Sequence, residues 1–226
     1  MKLYKFRSLT GTGGAKSDLE KAKEILDTGE FWHSAFSDLN DPVEGSFTIF
    51  PNVGKVDRDL IDRIYSEKNE YKICSFSGEA ALQSPIMWGY YANGFKGVAI
   101  EIEVGEKNIE RVKYVKNIFH VSDRLSPEEK AKQILTRKLL PWRHEKEFRS
   151  LKKIGEPYQV GTIKALYFGA PYGNAANGGA IYAGSRVLRR YKDEREELLS
   201  IAKDKGYSCH HMGVVQGKVV NVPNSV

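Results

Sequence analysis

The chain opens on a short alternation. In KLYKFRSL the residues Leu3, Tyr4, Lys5, Phe6 and Arg7 move between apolar and polar, the period-two pattern of a half-buried strand. TGTGGAKS then reads as a loop. Beyond it the period changes: Leu19, Ala22, Ile25 and Leu26 share one face of a helix in DLEKAKEILDTG. Ser17 stands at its N-cap with Glu20 at capping-box distance, and Gly29 is placed to end it. EFWHSAF predicts a second strand. SDLNDPVEG predicts a turn, because Asp41 before Pro42 is driven out of the helical region.

The same alternation of periods continues. FTIF predicts a short strand, KVDRDLIDRIYSEKNE a helix and YKICSFSG a core strand. SPIMWGYYANG predicts a short helix with Pro85 in its first turn. GVAIEIEV is the cleanest strand pattern, and VKYVK and IFHV predict strands flanking a turn. SPEEKAKQILTRKLLPW predicts one helix, capped by Ser126 and carrying early Glu residues that suit the helix dipole. KEFRSLKK and TIKALYFG predict two further strands. The tail reads as a Gly-, Ala- and Asn-rich loop, a charged helix SRVLRRYKDEREELLSIAKDKG and one or two final strands in SCHHMGVVQGKVVNVP. Together these elements predict an α+β fold: mixed, mostly antiparallel sheets around a cleft with peripheral helices. The expected organisation is a domain over residues 1–168, with a C-terminal extension over 169–226 packed on it.

Composition adds bounds. A length of 226 residues suits one domain with an appendage, and 41% hydrophobic with 28% charged residues is ordinary for a globular chain. A net charge of +6 favours anionic partners such as nucleotides or nucleic acid. The two cysteines, Cys74 and Cys209, are far apart and form no disulfide framework, which points to a reducing compartment. No apolar run has the length of a signal peptide or a membrane span, so a cytoplasmic protein without a membrane partner is expected. The sequence leaves the oligomeric state open.

The densest chemistry lies in LPWRHEKEFRSL. On a strand Glu145, Glu147 and Arg149 share a face, with the carboxylates about 7 Å apart. Close carboxylates raise one another's pKa and a neighbouring arginine lowers them, which suits a general base or a cation stabiliser. An exposed strand face with cross-strand ion pairs gives the same pattern. Asn40 and Asp41 are placed either to orient a ligand or to build a structural Asx turn. Ser75 and Ser77 lie on the strand face opposite Cys74 and Phe76. Trp88, Tyr90 and Tyr91 are placed to line a pocket for a planar ligand or to fill the core. Arg7 is suited to a phosphate, or to a solvated strand face. GTGG lacks the Lys-Ser/Thr of a phosphate-binding loop, no Gly-x-Ser-x-Gly elbow occurs, and Cys209, His210 and His211 have no second cluster at zinc spacing.

In combination these motifs resemble a large bacterial family catalogued as a domain of unknown function. Asn-Asp-Pro-x-Glu, Cys-x-Ser, Met-Trp-x-x-Tyr-Ala and Trp-x-x-Glu-x-Glu-x-Arg recur there in the order found here over residues 1–168. The chain is also similar to abortive-infection proteins of phage defence. Phe95 stands where family members often carry His. That family's architecture in turn looks like the ADP-ribosyltransferase fold, in which two small sheets flank a cleft holding bent NAD. The resemblance implies NAD as co-substrate and no metal. It places Arg7 or Tyr4 near the nicotinamide ribose, Ser75 or Ser77 beside the nicotinamide, and Trp88 and Tyr91 along the cleft. Asn40 and Asp41 join the binding residues, and Arg7 or Arg149 pairs with phosphate. Glu147 becomes the stabiliser of the oxocarbenium-like cation and Glu145 the acceptor-side partner, or the reverse. The chain lacks a His–Tyr–Glu or Arg–Ser-Thr-Ser–Glu set.

The implied function is a bacterial toxin or phage-defence effector, either an ADP-ribosyltransferase, with nucleic acid among the possible acceptors, or an NAD glycohydrolase. Two alternatives stand beside it: a non-catalytic nucleotide or nucleic-acid binding module using Arg186, Arg189, Arg190 and Lys192, and a metal-dependent nuclease.

Overall fold

The computed structural model describes residues 1–11, 15–48, 58–120, 125–171 and 186–222. Parts of the expected TGTGGAKS loop, of FTIF, of the helix beginning at Lys55 and of IFHV lie outside these residues, as does most of the Gly-rich loop before residue 186.

In chain order the elements are β1 (Lys2–Ser8), α1 (Asp18–Thr28), β2 (Phe47–Thr48), α2 (Arg58–Glu70), β3 (Tyr71–Ser77), α3 (Pro85–Tyr91), β4 (Gly97–Glu103), β5 (Glu110–Arg111) and β6 (Lys113–Val115), followed by β7 (Phe119–His120), α4 (Pro127–Leu135), β8 (Arg137–Leu139), β9 (Glu147–Lys153), β10 (Thr162–Gly169), α5 (Arg186–Asp204), β11 (Ser208–Val215) and β12 (Lys218–Val222). The class is α+β. Among the described residues eight strands form one sheet in the order β12-β11-β10-β4-β1-β3-β9-β5, antiparallel except for β10 and β11. Two-stranded parallel pairs β2–β7 and β6–β8 stand apart from it.

Local signals set the helix ends. Ser17 caps α1 and exchanges bonds with Glu20, and Ser126 does the same for α4 with Glu129. Gly29 ends α1 in the left-handed conformation at φ 72°. One sheet face carries Leu3, Ile100, Ile102, Leu166 and Phe168, packed with Leu19, Ala22, Ile25 and Leu26 of α1 and Tyr191, Leu198, Leu199 and Ala202 of α5. The C-terminal helix and strands therefore share the main core. The opposite face carries Tyr4, Phe6 and Ala99 under Met87 and Trp88 of α3.

Most strands join one large, mostly antiparallel sheet, with two small parallel pairs beside it. Two expectations are corrected. EFWHSAF is not a strand: it touches its neighbours through two isolated bridges, Glu30↔Gln159 and Ser34↔Ile73, before a 3-10 turn at Phe36–Asp38. The helix expected up to Trp142 stops at Leu135. Pro141 cannot enter a helix interior, and the Thr136 hydroxyl donates to the Lys132 carbonyl at 2.8 Å as the chain departs to pair β8 with β6. VKYVK and IFHV do form strands on either side of a short bend, as expected, and each pairs elsewhere: β6 joins β8 and β7 joins β2.

Candidate functional site

The site begins where the sheet opens. β1 pairs with β4 along its whole length, from Lys2↔Glu103 to Ser8↔Gly97, but meets β3 at the single pair Tyr4↔Ser77. A Cβ at Gly97 would stand 2.2 Å from the Arg7 carbonyl oxygen, so glycine lets β4 hold β1 at this end. β3 instead follows β9. Between the parting strands lies a cleft of about 180 Å³.

β3 keeps part of its edge unpaired by β1. Ile73 exchanges both backbone bonds with Ser34, at 2.9 and 2.8 Å. Alternate residues of a strand direct their N–H and C=O groups the same way, so those of Ser75 face the opening. The Ser75 carbonyl accepts a bond from Lys5 Nζ at 2.9 Å. Lys5 and Arg7 border the cleft on the β1 side, and among the described residues no carboxylate pairs with either.

Five buried charges from four segments meet on the other side. Glu147 Oε1 accepts from Ser75 Oγ at 2.5 Å and from Arg149 Nε at 2.7 Å, and Arg149 Nη2 reaches Oε2 at 3.2 Å. Both Arg149 Nη atoms also bind Glu44, at 2.6 and 3.0 Å, and Nη1 donates to the Leu135 carbonyl at 2.6 Å. Lys138 Nζ bridges Glu145 at 2.7 Å and Glu147 at 3.4 Å. Glu145 accepts from the Tyr91 hydroxyl, which accepts from Asn40 Nδ2 at 3.0 Å. None of the five charged side chains exceeds 4% exposure, so water screens these interactions weakly. Three carboxylates against two cations leave the cluster net negative.

The backbone that joins Glu145 to Glu147 is not the strand expected from the sequence. Glu145 ends a 3-10 turn over Leu140–Glu145, Lys146 adopts φ 48°, and β9 begins at Glu147. The left-handed residue turns both carboxylates toward Lys138. Gly78 N–H secures the turn by donating to the Lys146 carbonyl at 3.0 Å.

The two carboxylates are pushed in opposite directions. Burial works to raise Glu147, but Arg149, Lys138 and Ser75 outweigh it and pull its pKa down to about 2. Burial raises Glu145 above the ordinary range, against the pull of Lys138 and Tyr91. Burial, and next the bond to Glu145, raises the Tyr91 phenol. A carboxylate pair split in this way separates a fixed anion, Glu147, from a proton acceptor, Glu145.

Nine of the eleven residues that the resemblance assigns to an NAD site border this cleft: Tyr4, Arg7, Asn40, Ser75, Ser77, Tyr91, Glu145, Glu147 and Arg149; Tyr90, the other aromatic candidate, is exposed away from it. Two of the eleven do not. Trp88 is fully buried in the core, where its Nε1 donates to the Leu82 carbonyl at 2.8 Å and its ring stacks on Phe95 at 5.0 Å. Asp41 is 4% exposed and builds the turn, accepting from Val43 N–H at 3.0 Å. Tyr4 contributes its ring, while its hydroxyl is committed to Glu101 at 3.0 Å.

Glu44, Lys138, Lys5 and Lys68 are the participants the sequence reading missed. Glu44 was visible as the last residue of Asn-Asp-Pro-x-Glu. Lys68, 1% exposed, donates to the Gly45 carbonyl at 2.5 Å and lies over the rings of Phe36, Tyr65 and Phe47 at 4.3, 4.6 and 5.4 Å. It fixes the turn that presents Glu44 to Arg149. Burial lowers its pKa to about 8, against the pull of Glu44.

Among the described residues no group of three or more His, Cys, Asp or Glu is arranged to hold a metal ion, and no helix is long and apolar enough to cross a membrane. Cys74 is free and buried in β3, and Cys209 is free in β11. Comparison of the chain with protein-family models, with curated proteins and with solved structures returns no match.

Proposed function

We propose that the cleft binds NAD and that the protein breaks its nicotinamide–ribose bond, as an ADP-ribosyltransferase or an NAD glycohydrolase on an ADP-ribosyltransferase-like fold. The observation that carries this reading is the position of Glu147. It is a buried carboxylate kept ionised by Arg149 and Lys138, beside a cleft whose other wall presents Lys5 and Arg7. Cleavage leaves the bonding electron pair on nicotinamide and positive charge on the ribose. A fixed anion beside the sugar stabilises that charge. The acceptor hydroxyl, or water, then adds to the ribose carbon and gives its proton to Glu145, whose raised pKa suits a base. Lys5 and Arg7 hold the diphosphate. The resemblance to phage-defence proteins makes a toxin or defence effector the matching biological role.

A second reading is a nucleotide-binding module without turnover. What favours it is that Glu145 and Glu147 are both already bonded to Lys138, so each must exchange a partner to act on a substrate. Incubating the purified protein with NAD and measuring free nicotinamide separates the two. Release supports the first; an NAD-dependent thermal shift with no release supports the second.

A further inference from the structure

A second, larger cavity of about 570 Å³ lies beside the cleft and shares Lys5, Arg7 and Trp32 with it. The first space has the buried Glu145 and Glu147 in its wall; the second is lined by Ile25, Phe31, Trp32 and Tyr158, and also by Glu24, Glu30, Lys16 and Lys21. Lys5 and Arg7 therefore stand at a seam between the buried carboxylate cluster and an aromatic wall.

Trp32 is 72% exposed, which is costly for an indole unless something covers it. It is nevertheless held in place. Phe31 and His33 on either side are 0% and 1% exposed, and bridges at Glu30 and Ser34 pin both ends of the segment. The indole meets Tyr158 edge-on at 5.8 Å, and Tyr158 stacks on His33 at 4.8 Å. His33 is itself locked by bonds to the Phe31 carbonyl at 2.6 Å and Ser150 Oγ at 2.9 Å. A rigid aromatic face left open to solvent beside two cations without carboxylate partners matches a planar base attached to phosphate.

We propose that this second chamber is a nucleoside-phosphate subsite, in which Trp32 stacks the base and Lys5 and Arg7 hold the phosphates. Resting on the reading of the cleft as an NAD site, it takes the adenosine half of the dinucleotide. The nicotinamide half then lies in the cleft beside Glu147, and the diphosphate crosses the seam.

The test is calorimetric titration of adenosine diphosphate, which carries no nicotinamide, into the full chain, Trp32→Ala and Trp32→Phe. The wild type binds, Trp32→Ala loses about tenfold or more in affinity, the range expected for one lost base stack, and Trp32→Phe retains most of it. No binding to the wild type, or equal affinity in Trp32→Ala, overturns the subsite. Nicotinamide release measured in parallel separates this from the activity itself. Adenosine diphosphate binding without release sinks the turnover reading and leaves the subsite standing. Release from NAD with an unaltered KM in Trp32→Ala does the opposite.

Discussion

Two buried carboxylate sites lie along the same sheet and differ in what they face: the lone Glu101, and Glu147 with its neighbour Glu145. Glu101, on β4, is 3% exposed, as are Glu145 and Glu147. Glu101 accepts from Tyr4 and Tyr167 at 3.0 and 2.9 Å and pairs with Lys2 at 3.0 Å. Burial opposes these partners, yet they hold its pKa below the ordinary range. Its donors come from neighbouring strands within the continuous part of the sheet, and Glu101 lines neither the cleft nor the larger cavity beside it. The Glu145–Glu147 cluster lies where β1 and β3 part, draws its partners from separate elements and opens on a cleft. Burial and pairing alone therefore do not mark a site. The difference lies in the pKa values pushed apart and in adjacent space for a ligand.

The sharpest way to break this contrast is to neutralise each site. Glu147→Gln is expected to lower nicotinamide release by at least about a hundredfold, the scale for losing one electrostatic stabiliser. Glu101→Gln is expected to leave release near wild type and to cost about 1–3 kcal/mol in urea unfolding, since a shared buried hydrogen-bond acceptor is weakened. Similar activity losses in both variants would erase the distinction.

Next in size is Glu44→Gln. Arg149 loses one of two buried carboxylates, and a fall of about 3–5 kcal/mol in unfolding free energy is expected, the range for breaking a buried pair. Lys68→Met tests the same turn from behind. Methionine fills the aromatic cage but leaves the Gly45 carbonyl without its donor, and a loss of about 1–3 kcal/mol is expected by thermal or urea unfolding.

Acid sharpens the comparison further. The folded pKa of His33 lies at about 4, below the ordinary 6.5, because burial disfavours its charged form. Its contribution to stability is fully present above about 6.5 and is lost as pH falls toward 4. Glu147 adds stability that is present above its ordinary 4.5 and is lost as pH falls toward 2. Urea midpoints across this range are expected to fall in two stages, and Glu147→Gln to shrink the lower one, to which Glu101 and Glu128 also contribute. Because Glu145 is raised, activity is expected to fall on acidification while Glu147 is still ionised.

The smallest expected effect is Ser17→Ala, about 1 kcal/mol of helix capping with no change in nicotinamide release. It marks what was most legible in the sequence. Ser17 with Glu20 and Ser126 with Glu129 lie three residues apart, so helix starts could be read locally. The strands β1, β3, β4 and β9 were likewise visible as alternations. The site was only half legible. Glu145, Glu147 and Arg149 could be grouped by spacing, but the grouping arises from a left-handed Lys146 rather than a continued strand. Lys138 was hidden inside a segment with helical spacing. The Glu44–Arg149 pair joins residues 105 apart, and no local pattern encodes that contact. Nor could spacing tell Trp88, which fills the core, from Trp32, which stands in solvent.

On the proposed reading, Glu147 beside the cleft acts on NAD and Glu101 within the closed sheet does not. The most direct measurement is nicotinamide released from NAD by the wild type, Glu147→Gln and Glu101→Gln, each normalised to folded protein by circular dichroism. Release by the wild type and by Glu101→Gln, and its loss in Glu147→Gln, are expected. Absence of release from the wild type, or undiminished release in folded Glu147→Gln, would contradict that reading.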